Sequence, residues 1–193
     1  MTNDPVHKLS NIVESARSGN RVSMEELASF FYNKIFHMVY SRNVSRMDAE
    51  DLTQEIFLAM SKNLYQLKDT TSFKAWLYRI ALNRIKDFHR KKNFLSLFSL
   101  KSTEDTESLG ESHNALDDVM GKEFWYQFHR LTRQMSKKER EVFILRYVDQ
   151  LGIRELAETL KNSESTVKTH LYRALKKFKE APGLRSFLKG NLI

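Results

Sequence analysis

Apolar residues along this chain recur at spacings of three and four, the period of helices that each bury one face. Ser23-Met24-Glu25-Glu26 has the form of a capping box, and the apolar positions Leu27, Phe30, Phe31, Ile35, Met38 and Val39 predict a helix from there to about Arg42. Asp48 is the predicted cap of a second helix, with Leu52, Ile56, Phe57, Met60 and Leu64 at helical spacing and acidic and amide groups on the other face. Ser72 is the predicted cap of a third, running from Phe73 to about Lys92 with Trp76, Leu77, Ile80, Ala81 and Ile85 inward. With a short N-terminal helix, these make a predicted domain over residues 1–93.

Between 94 and 120 the period fades into Ser, Thr, Asp, Glu and Gly, predicting a flexible acidic linker. Its first five residues, Phe94-Leu95-Ser96-Leu97-Phe98, are apolar enough to pack back on the first domain. Residues 121–193 form a predicted second domain. Phe124, Trp125, Phe128 and Leu131 restart the helical spacing, and a capping box at Ser136-Lys137-Lys138-Glu139 opens a helix through Val142, Phe143, Leu145 and Tyr147. A short helix with Ile153, Leu156, Ala157 and Leu160 then stops at Lys161-Asn162-Ser163, and another begins near Glu164 with Val167, Leu171, Ala174, Leu175 and Phe178 inward. The small Ala157 and the brief polar turn make this pair a helix-turn-helix. The predicted fold is all-α: two helical domains joined by a flexible linker, the second containing the helix-turn-helix.

Composition agrees with that reading, with two Pro and six Gly in 193 residues. Zero cysteines exclude disulfides, thiolate nucleophiles and cysteine-ligated zinc. No apolar run approaches a membrane span, and the polar start lacks a signal-peptide layout, so a cytoplasmic location without membrane insertion is expected. The net charge of +8 is uneven. Residues 1–93 hold 15 Lys and Arg against 10 Asp and Glu, residues 94–120 hold 1 against 6, and residues 121–193 hold 16 against 8. Two basic blocks suit two polyanion-binding surfaces, although basic faces can also be merely solvated.

Three stretches carry candidate chemistry. In the last predicted helix Lys168, Thr169, Tyr172, Arg173, Lys176 and Lys177 are left outward. That is the mixture a recognition helix needs, cations for guanine O6 and N7 and for phosphates, Thr for a base edge or a thymine methyl. The plainer alternative is an amphipathic helix with a wet basic face. Residues 76–92 interleave aromatics and cations, with Arg79, Asn83, Lys86 and Arg90 on one stripe. Aromatic and guanidinium planes stack on unpaired bases while an amide reads a base edge, so this stretch suits melting or single-stranded DNA. It is also compatible with Trp76 in a core and a solvated basic end. Asp48-Ala49-Glu50-Asp51-Leu52-Thr53-Gln54-Glu55 has the look of a carboxylate cluster, yet no histidine completes a ligand set and no Gly-rich phosphate loop is present. Docking on a basic partner accounts for it better than catalysis, and no metal or cofactor is expected.

Residues 48–57, 73–83 and 165–174, in this order and at these distances, resemble the sigma-70-type factors of the short extracytoplasmic-function class. The resemblance implies that Asp51, Gln54 and Glu55 face the clamp helices of the largest subunit of RNA polymerase, with Leu52 and Phe57 supporting that face. It implies that Asn83 captures a base flipped from the minus-ten element, beside Trp76, Arg79, Arg84, Lys86, Asp87 and Arg90. Lys168, Thr169, Tyr172 and Arg173 would read the minus-thirty-five element in the major groove. The implied partners are core RNA polymerase, through its clamp helices and flap, promoter DNA, and an anti-sigma factor able to hold the protein at the membrane. The acidic linker would thread toward the RNA exit path.

Some positions depart from the family pattern. Asn162-Ser163-Glu164-Ser165 replaces the usual aliphatic, Pro and Gly residues of the turn; Ser163 can still cap, while Glu164 suits the helix dipole but repels a nearby phosphate. His170 stands where Arg is common, and the tail from Pro182 has no counterpart in the family pattern. A helix-turn-helix regulator acting on duplex DNA without polymerase is the rival reading; it leaves residues 48–92 unused. A nucleic-acid enzyme would need a catalytic constellation that these residues do not form.

Overall fold

A computed structural model describes residues 5–42, 44–98 and 134–180. The chain divides into two compact units, one within residues 1–112 and one within 113–193. The described residues form α-helices and short 3-10 turns only.

The first unit contains α1 (Pro5–Arg17), α2 (Arg21–Tyr40), α3 (Arg46–Asn63) and α4 (Phe73–Phe98). α2 packs on α1, α3 and α4, and α3 packs on α4. Their inward stripes close one core: Leu27, Phe31, Ile35 and Met38 from α2, Ile56 and Met60 from α3, and Phe73, Leu77, Ala81 and Ile85 from α4. Phe31 and Phe73 meet edge to face at 5.4 Å, an arrangement that adds quadrupole attraction to the burial of both rings.

Helix starts differ from the predicted ones because competing polar groups claim the orphan amides. α2 begins earlier than Ser23. Gly19, at φ +95°, turns the chain out of α1, and Asn20 caps α2 by accepting from the Ser23 amide at 3.1 Å. The Ser23 hydroxyl is spent on Ser15 at 2.9 Å. Ser45, not Asp48, caps α3: its Oγ accepts from the Asp48 amide at 3.1 Å while its hydroxyl donates to the Asp48 carboxylate at 2.6 Å. Before α4, Asp69 caps a 3-10 turn, Thr70–Ser72, taking bonds from the Thr71 amide and the Ser72 hydroxyl. α4 also runs on to Phe98, past the predicted end near Lys92, so residues 94–98 are helical, with Phe94 exposed. The rest of the predicted linker, the helix through Phe124 and Leu131, and the tail from Pro182 lie outside the described residues.

The second unit contains α5 (Lys137–Tyr147), α6 (Ile153–Leu160) and α7 (Glu164–Glu180). Here the predicted capping box is present, with the Ser136 amide on Glu139 at 2.9 Å and the Glu139 amide on Ser136 at 3.3 Å. Phe143 and Phe178, with ring centres 5.1 Å apart, bring α5 and α7 together around Met135 and Ala174. α6 ends at Lys161, which adopts the left-handed conformation at φ 54° and lets the Asn162 amide reach the Ala157 carbonyl at 3.0 Å. Buried Ala157 and Val167 complete the predicted helix-turn-helix.

One cross-link was not legible in the sequence. Lys177, predicted to point outward, places Nζ 2.7 Å from Glu139, whose side chain is only 8% exposed, against 38% for the lysine. Lys177 and then the Ser136 amide hold the Glu139 carboxyl below its ordinary pKa, against an opposing effect of burial. The folded pKa is the lower one, so the contribution to stability is complete above the unfolded value near 4.5 and is lost as pH falls through the folded value. Glu139→Gln is expected to cost the second unit about 1–3 kcal/mol at pH 7. Hydrogen exchange of the α5 and α7 amides should show the gap from the unmodified protein closing as pH drops below 4.5; a pH-independent gap would contradict the ionic brace.

Candidate nucleic-acid interface

Three helix faces present the predicted site residues. On α3, Asp51, Gln54 and Glu55 are exposed and share a stripe, since positions three and four apart lie one above another. No described basic side chain pairs with Asp51 or Glu55 in a salt bridge. Leu52 is 5% exposed and belongs to the core, behind the exposed face. Phe57 is half-buried and stacks on Tyr32 at 6.0 Å. Met47 and Leu58, 72% and 60% exposed, fall on the same stripe and were not among the predicted site residues. Their signal was available: 47, 51, 54, 55 and 58 follow the helical repeat, so an apolar residue at each end flanks the acids.

On α4, Asn83, Arg84, Lys86 and Arg90 are exposed, and Arg79 and Asp87 are half-buried beside them. Arg90 pairs with Asp87 at 3.1 Å, an exposed bridge that is worth little to stability but aims the guanidinium along the helix. Trp76 is half-buried, with its ring 6.0 Å from core Phe73. Part of the indole packs toward the core and the rest is accessible. His89, absent from the predicted set, ties α4 to the end of α2 through Nε2, which donates to the Arg42 carbonyl at 3.0 Å. Burial lowers its pKa, with the Arg42 carbonyl opposing and Lys92 reinforcing, and the contact with a carbonyl oxygen places a proton on Nε2.

On α7, Lys168, Thr169, Tyr172, Arg173 and Lys176 are exposed while Val167, Ala174 and Phe178 are buried. The Thr169 hydroxyl donates to the Ser165 carbonyl at 2.9 Å. Ser163 caps α7 by accepting from the Thr166 amide at 3.2 Å, as predicted. His170 is half-buried with Nδ1 turned inward, so it does not stand on the exposed face. Lys168 Nζ lies 3.5 Å from Glu164 Oε2.

Among the described residues no group of three or more His, Asp and Glu could hold a metal ion. No described helix is long and apolar enough to cross a membrane.

The family model described as Sigma-70 region 2 matches residues 27–94, and the model described as Sigma-70, region 4 matches residues 126–178. The chain is 30% identical over 140 residues to a probable RNA polymerase sigma factor of Haemophilus influenzae, covering 65% of this chain and 72% of that one. It is 26% identical over 167 residues to the ECF RNA polymerase sigma factor SigW of Bacillus subtilis, covering 83% and 89%. Among solved structures, CnrH in complex with the cytosolic domain of CnrY has a similar fold, with a TM-score of 0.65 and 20% identity over 95% of this chain and 98% of that one. The sigma factor RpoE of Bartonella quintana, in complex with the anti-sigma factor NepR, gives a TM-score of 0.57 and 19% identity over 86% and 97%.

Proposed function

The chain belongs to the sigma-70 family, as an RNA polymerase sigma factor of the extracytoplasmic-function class, and we propose that its two units divide promoter recognition between them. The first unit, about residues 1–93 with α4 continuing to Phe98, docks on the clamp helices of the largest polymerase subunit through Asp51, Gln54 and Glu55. Leu52 and Phe57 hold that face from behind, and Met47 and Leu58 add apolar contact at its ends. The same unit opens the minus-ten element: Asn83 captures a flipped base while Trp76 stacks and Arg79, Arg84, Lys86 and Arg90, with Asp87, guide the strand.

The second unit, about residues 121–193, reads the minus-thirty-five duplex with Lys168, Thr169, Tyr172 and Arg173 and meets the polymerase flap. The acidic connector of residues 94–120 joins them and, being negative, avoids gripping DNA itself. Because both units engage one promoter, the tether turns two modest affinities into one useful affinity. The factor acts without catalysis of its own, in the cytoplasm, and an anti-sigma factor covers its exposed polymerase and DNA faces when it is idle. The NepR complex of the Bartonella quintana factor motivates that last partner.

The observation that carries this reading is the pairing, in one chain, of an exposed Asn83 among cations on α4 with an exposed Lys168, Thr169 and Arg173 on α7. Promoter-specific transcription by the purified protein with core RNA polymerase tests it. A discrete promoter-dependent transcript is expected; a shift of duplex DNA without such a transcript would belong to a polymerase-independent regulator. Arg173→Ala should weaken minus-thirty-five binding by about 1–3 kcal/mol if the guanidinium bonds a guanine in the bidentate manner. Holoenzyme titrations on duplexes with single base changes would show the loss confined to one position.

A further inference from the structure

The first residue of α7, Glu164, is exposed and unused by the division of labour above. When a recognition helix enters the major groove, its N-terminal residues meet base edges. A carboxylate there is repelled by phosphate and must find a donor. Cytosine offers its N4 amino group; guanine and thymine offer acceptors in that groove, and adenine sets its N7 acceptor beside its N6 donor. Cytosine is therefore the base that the Glu164 carboxylate suits.

Lys168 lies one turn along on the same side, with Nζ 3.5 Å from Glu164 Oε2. Its needs are complementary: an ammonium bonds guanine O6 and N7. In a C·G pair, the N4 donor and the O6 and N7 acceptors lie side by side. We propose that Glu164 is a specificity-determining residue which, with Lys168, selects a C·G pair in the upstream promoter element. Without DNA the two charges hold each other, so neither side chain needs large rearrangement to bind. The inference rests on α7 being the minus-thirty-five reader.

The test is selection of randomised upstream duplexes by core polymerase loaded with the full chain, for the unmodified protein, Glu164→Gln and Arg173→Ala. A glutamine amide brings both a donor and an acceptor, the pattern that matches adenine N6 and N7. Glu164→Gln is expected to lower cytosine enrichment about tenfold at one position, shift it toward adenine, and leave the other positions unchanged. An unchanged consensus, with binding to all sequences rising alike, would mean that the carboxylate only repels phosphate and would overturn the inference. Arg173→Ala relaxing one position while Glu164→Gln relaxes none would also overturn it and leave the reading of α7 standing. If the unmodified holoenzyme enriches no upstream sequence, both fall together.

Discussion

Asn83→Ala is expected to slow promoter opening by roughly ten- to a hundredfold while leaving upstream duplex binding by the full chain intact. Extracting a base from the stack costs a few kcal/mol, and a protein that does so recovers the cost through hydrogen bonds to the exposed base edge and stacking against it. Asn83 supplies one donor and one acceptor from an exposed position on α4, flanked by Arg84 and Lys86. Alanine removes both bonds without disturbing the core, because the buried side of this helix is carried by Leu77, Ala81, Leu82 and Ile85. Permanganate reactivity of minus-ten thymines in the holoenzyme complex reads the opening, and filter binding on closed duplex reads the other half. Equal damage to both would refute the assignment of melting to α4.

The double reversal Asp51→Arg, Glu55→Arg is expected to lower affinity for core polymerase by more than about a hundredfold, because each like-charge juxtaposition at an interface costs several kcal/mol. Both carboxylates are exposed, one turn apart on α3, so reversal should not unfold the unit. Competition with the unmodified chain for core polymerase, at fixed ionic strength, measures the loss. Duplex binding by α7 serves as the internal control. Normal assembly of the reversed chain would show that α3 is not the docking face. Leu58→Ala should act in the same direction but more weakly, by about 1–2 kcal/mol, as loss of a single apolar contact does.

Much of this site was legible because its determinants are local. The stripes on α3, α4 and α7 follow from residue type and the 3.6-residue repeat, and their predicted outward members are exposed apart from half-buried Arg79, Asp87 and Lys177. The capping box at Ser136 and Glu139 was also legible, since both partners lie within one turn. The starts of α2 and α3 were not. Each has several side chains able to cap, and the choice depends on which hydroxyl is claimed by a neighbour, as Ser15 claims Ser23. Depth escaped the pattern as well. Periodicity gives the direction of a side chain, yet Trp76 and Ile80, expected inward, are only half-buried.

The sequence by itself determined the helical class, the helix-turn-helix, the order of the three functional faces and the family they identify, all properties set by neighbours along the chain. Tertiary structure alone decided which of the cations on α7 are available. Lys177 is committed to Glu139, 38 residues away, and so braces α7 against α5. The physical reason is that a charge finds its partner through space: the helical repeat shows which face a lysine occupies, and only the packing of α5 against α7 shows what it meets there.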